Sequence, residues 1–103
     1  MKYIVGLYAI FIHTVVAAQM IDYAVESVDY LGDMSVNIVD YLGDETWEVL
    51  GACSNSPNLK VNFVDYLGDI SVNIVEYLGD KKICITNADQ LDYDLLKKLN
   101  LTD

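Results

Sequence analysis

The chain has 103 residues, 53% of them hydrophobic, and sets sixteen Asp and Glu against six lysines and no arginine, for a formal net charge of −10. That balance excludes the Lys/Arg clusters by which nucleic-acid binders neutralise phosphate and disfavours anionic membrane surfaces. Cationic or divalent-metal partners are the electrostatically allowed ones, and no particular partner is indicated.

Met1 to Ala18 reads as a secretory signal peptide. Lys2 is its only charge, an apolar run follows from Tyr3 to Val15, and Val16-Ala-Ala18 supplies small residues for cleavage. The run is short and polar for a membrane span. The expected product is therefore secreted or periplasmic and begins at Gln19, with five lysines facing sixteen carboxylates and a net charge of about −11. The only histidine, His13, lies in the leader. The remaining chain thus lacks Ser-His and Cys-His dyads and the usual zinc sites.

Residues 19–103 read as one β-repeat domain. Four near-copies of a hexapeptide dominate it: Val28-Asp-Tyr-Leu-Gly-Asp33, Val39–Asp44, Val64–Asp69 and Val75-Glu-Tyr-Leu-Gly-Asp80. Copies begin eleven residues apart within a pair, and a 36-residue shift maps one pair onto the other, laying Ser35-Val-Asn-Ile38 on Ser71-Val-Asn-Ile74. Six units in two triplets follow, over 24–58 and 60–90. They start near Val25, Val36, Trp47, Val61, Val72 and Ile83, with the turn-rich Ser54–Asn58 between triplets. The third and sixth units lack the Tyr-Leu-Gly-Asp ending.

Val36 to Tyr41 is rich in β-branched and aromatic residues and reads as a strand. Leu42-Gly-Asp44 closes it, with Gly free to take positive φ and Asp free to bond nearby backbone. Alternation places Val36, Ile38 and Asp40 on one face and Asn37, Val39 and Tyr41 on the other. Neither face is purely apolar, which suits a thin barrel or tightly wound sheet better than a two-layer sandwich. Eleven residues are too few for a strand–helix–strand unit, which takes about thirty. The expected fold is all-β: a compact small barrel-like sheet of six short strands, closed by a short C-terminal helix over about 89–100. In that tail Leu91, Leu95 and Leu99 recur at helical spacing, Asp89 or Asp92 can cap the start, and Lys97-Lys98 suit the last turn.

Paired carboxylates in tandem copies share similar environments, whereas acid/base chemistry needs environments that part their pKa values. No enzymatic site is expected. Asp33, Asp44, Asp69 and Asp80 are the candidate metal ligands, because stacked Gly-Asp turns offer hard oxygen donors to calcium. The plainer reading has each Asp capping its turn, with no cofactor. Asn37, Asn62 and Asn73 are expected to form a ladder that pins strand register. Tyr30, Tyr41, Tyr66 and Tyr77 are expected to be half-buried, with the hydroxyl at the rim. Cys53 and Cys84 permit one disulfide in an exported chain, closing a loop of about thirty residues worth on the order of 3–4 kcal/mol. Asn100-Leu-Thr102 is a glycosylation sequon in a eukaryotic secretory pathway.

Three eleven-residue units, a short insert and three more, with V-x-x-V-[DE]-Y-x-x-D in the repeats, resemble the septoil-knot domain family of small, mostly bacterial exported proteins. The resemblance spans about Val25 to Asn87. It implies an all-β fold whose backbone forms a seven-crossing torus knot, with no established activity and no functional residues to carry over. The functional expectation is a monomeric, non-catalytic secreted or periplasmic domain with a structural or binding role. The alternatives are an extracellular calcium-dependent module built on the Leu-Gly-Asp turns, and a self-assembling matrix or fibre subunit.

Overall fold

The computed structural model describes residues 20–102; the leader reading of Met1 to Ala18 lies outside them. Six strands follow in chain order: β1 (Tyr23–Ser27), β2 (Met34–Ile38), β3 (Glu45–Ala52), β4 (Leu59–Val64), β5 (Ile70–Val75) and β6 (Lys81–Ile85). A 3₁₀ turn at Ala88–Gln90 and one α-helix, α1 (Tyr93–Lys98), complete the chain. The strands form a closed barrel in the order β1-β4-β2-β5-β3-β6, and every pairing is parallel. The triplets are therefore interleaved: each strand of one lies between strands of the other.

Each strand begins two residues before its expected unit, and the four that lead into a hexapeptide stop before its Asp/Glu-Tyr pair. In the second unit the strand is Met34–Ile38 rather than Val36 to Tyr41. The Val-[Asp/Glu]-Tyr-Leu-Gly-Asp hexapeptide is the connection, whole after β1 and β2 and less its leading valine after β4 and β5, where Val64 and Val75 end the strand. Parallel neighbours normally need a crossover of a dozen residues or more. Five or six suffice here because of stagger. Ser27, the last residue of β1, and Met34, the first of β2, both pair with Val61 of β4. The chain steps sideways over one strand and does not run back along the barrel.

The register offset alternates between 34 and −27 residues over five pairings and is −60 from β6 to β1, so one circuit returns twelve residues from its start. That is two residues per strand, a large shear and hence a steep tilt. Val25, Val61, Val36, Val72, Trp47 and Ile83 each sit two residues beyond the register partner of the one before. The six therefore fall in one layer across the barrel, and all are fully buried. These are the six residues at which the units start.

Tyr23, Met34, Leu59 and Ile70 pack on one side of this layer, and Ile38, Phe63, Ile74 and Val49 on the other. The tail closes that second side with Leu99, fully buried, and with Ala88, Leu91, Leu95 and Leu101. The expected single helix over 89–100 is split. Leu91 is extended and packs on the core, and Asp92 then caps a fresh start, its Oδ1 accepting from Leu95 N at 2.9 Å.

Candidate functional site

Each hexapeptide connection crosses the outside of the strand that separates its two parents. Val28–Asp33 crosses β4, Val64–Asp69 crosses β2, Val39–Asp44 crosses β5, and Val75–Asp80 crosses β3. These four strands are consecutive around the barrel. Since each crossing lies over a core-layer residue, the four turns form a girdle at one height.

The girdle is fastened in two rows. In the first, the residue after the core residue of each of the four crossed strands holds the crossing turn. Asn62 accepts from Gly32 N at 2.9 Å and donates to Val28 O. Asn73 does the same for Gly43 N and Val39 O, and Asn37 accepts from Gly68 N. Glu48 takes this place on β3, its Oε1 at 3.5 Å from Gly79 N. The asparagines thus bind turn to strand; they do not form the strand-to-strand ladder expected of them. On β6 the equivalent residue is Cys84, which is bonded to Cys53 in the connection from β3 to β4. The covalent bridge stands where the longer connection, lacking Tyr-Leu-Gly-Asp, has no such turn to fasten.

In the second row, a residue just before each strand clamps the neighbouring backbone. Asp33 Oδ2 accepts from Lys60 N at 2.8 Å while its own N–H donates to Lys60 O. Asp44 pairs so with Ser71, Asp69 with Ser35, and Asp80 with Thr46 through backbone and hydroxyl. Two further members escape the sequence reading: Asp22 on Lys82, and Asn58 on Ala24. Counting eleven residues back from Asp33 and Asp69 finds both. Asn58 makes the same pair of bonds with no charge, so the clamp needs an acceptor and not an anion. The four candidate metal ligands are thereby spread round the girdle, each turned onto a backbone N–H. Among the described residues no three acidic, cysteine or histidine side chains gather as a cation site.

What remains is the outer edge of the girdle. Tyr30, Tyr41, Tyr66 and Tyr77 are 75–80% exposed, which corrects the half-buried expectation. The strand ends before them, so alternation no longer applies. The adjacent Leu31, Leu42, Leu67 and Leu78 are 91–97% exposed. These leucines, and not the glycines, hold the left-handed conformation, with φ of 54°, 52°, 55° and 56°. The glycine is needed for contact: a Cβ on Gly68 would lie 2.8 Å from Asn37 N and 3.0 Å from Val36 C. Before each tyrosine stands an exposed carboxylate: Asp29, Asp40, Asp65 or Glu76. The girdle so presents one acidic-aromatic-aliphatic tip four times.

No helix among the described residues is long and apolar enough to cross a membrane. No protein-family model matches the chain, and no curated protein matches it.

Proposed function

We propose that this chain is a non-catalytic, exported binding domain, and that the four Asp/Glu-Tyr-Leu tips are its binding surface. One observation carries the reading: a fully exposed leucine in the left-handed conformation, repeated four times. That conformation costs a residue with a Cβ roughly 1–2 kcal/mol, and glycine or asparagine is the ordinary occupant. Exposed large apolar side chains return nothing to folding. A strained backbone that displays an apolar side chain points to recognition.

Export is supported by the apolar leader and by the Cys53–Cys84 bridge, which belongs to oxidising compartments. A non-catalytic role is supported by the equivalence of the turns and by the commitment of Asp33, Asp44, Asp69 and Asp80 to backbone clamps. The septoil-knot resemblance is supported no further than by the all-β character of the closed six-stranded barrel.

Selection from a random displayed-peptide library tests the proposal. The folded protein should enrich peptides that fail to bind a variant with Leu31, Leu42, Leu67 and Leu78 replaced by Gly. A library yielding only binders indifferent to those substitutions sinks the proposal, as does robust turnover in a broad hydrolase panel.

A further inference from the structure

Resting on the girdle as a binding surface, we infer that its ligand is an extended, lysine- or arginine-rich polypeptide segment that wraps the barrel, placing apolar side chains between successive Tyr-Leu tips. Two independent features lead there. The first is charge. Each apolar tip is preceded by an exposed carboxylate, so Asp29, Asp40, Asp65 and Glu76 put four negative charges beside the eight apolar side chains. None of the four clamps the backbone as the aspartates four residues on do; Asp65 lies 3.8 Å from Lys98 Nζ in an exposed ion pair, and the other three have no ion-pair partner among the described residues. A ligand that covers the leucines must meet these charges, and a basic one gains where an acidic one loses. A second copy of this acidic chain would bring tip carboxylates against tip carboxylates, which opposes self-association.

The second feature is curvature. The tips cross β4, β2, β5 and β3, four adjacent strands of six, at one height. They therefore follow the barrel round about two-thirds of its circumference. A flat bilayer meets one or two tips at a time; a chain that follows the curve meets all four. Four equivalent tips also suit a ligand whose own chemistry recurs, because each engaged tip raises the effective concentration of the next.

The test uses the intact exported protein and two synthetic peptides of equal length, one repeating Lys-Leu-Lys-Ser and one repeating Glu-Leu-Glu-Ser. Calorimetry should find binding of the lysine peptide only. Binding should weaken at least about tenfold at low salt when Asp29, Asp40, Asp65 and Glu76 become Asn or Gln, and again when the four leucines become Gly. The salt dependence should flatten in the charge-neutral variant. Tip-dependent binding of the glutamate peptide, or equal binding of the lysine peptide to the charge-neutral variant, overturns this inference and leaves the girdle a binding surface of other specificity. Leucine-dependent binding to phosphatidylcholine vesicles, or leucine-dependent dimerisation, overturns it in the same way. Lysine-peptide binding that ignores the leucine substitutions overturns both the inference and the girdle.

Discussion

At the level of single residues, the repeat divides into side chains that hold the fold and side chains that do not. The aspartate at the end of each hexapeptide is a clamp, and Asn58 shows that its charge is dispensable. Asp44→Asn is therefore expected to leave chemical-denaturation stability nearly unchanged, while Asp44→Ala loses about 1 kcal/mol with the bond to Ser71 N. Equal losses from both would argue for a role of the charge. Glycine was legible as a necessity but not for the right reason. Its sequence position suggests positive φ, yet Gly68 is there because its backbone lies on Asn37. Gly68→Ala is expected to cost about 1–3 kcal/mol by forcing the turn off β2; a neutral result would mean the turn can lift freely. The exposure of Tyr30, Tyr41, Tyr66 and Tyr77 was not legible, since aromatic residues after an alternating run look like more strand.

The elements themselves were half legible. Eleven-residue spacing marks six strands, and the unit starts Val25, Val36, Trp47, Val61, Val72 and Ile83 are the core layer. Strand ends shifted because the sequence cannot say that Val39 to Asp44 is a bridge over β5. Only the tertiary bonds to Ser71 and Asn73 make it one. The tail was legible as helical from its leucine spacing but not as broken at Leu91, where core contact outweighs helix continuity. The disulfide belongs to this scale as well. Cys84 matches Glu48 under the 36-residue shift, and both occupy the position that fastens a crossing connection. Replacing Cys53 and Cys84 by Ala should cost about 2–5 kcal/mol, read as a lower denaturation midpoint. A midpoint unmoved by reduction would show that the connection from β3 to β4 holds without the bridge.

For the whole molecule, the interleaved order was beyond the sequence. Near-identical units offer near-identical edges, so repeats alone cannot say which strand pairs with which. The order follows from the stagger that lets five or six residues span one strand. Every pairing joins segments 27 or more residues apart. No local hairpin can nucleate such a barrel, and non-local pairing is slow. Refolding from denaturant is expected to take seconds or longer; single-exponential refolding in milliseconds would contradict the interleaved assembly. The same interleaving explains why the tips can be exposed at all. The core layer, the fasteners and the clamps hold the barrel without them, which leaves the leucines free for a ligand. The equilibrium stability of the variant with Leu31, Leu42, Leu67 and Leu78 all replaced by Gly decides whether they are free. Relief of roughly 1–2 kcal/mol of left-handed strain at each site offsets the roughly 0.5–1 kcal/mol entropic penalty of glycine. The expected result is a folded protein at least as stable as its parent. A variant that unfolds, or loses the roughly 2–5 kcal/mol per site typical of buried leucines, would show that the leucines serve the fold and not a partner.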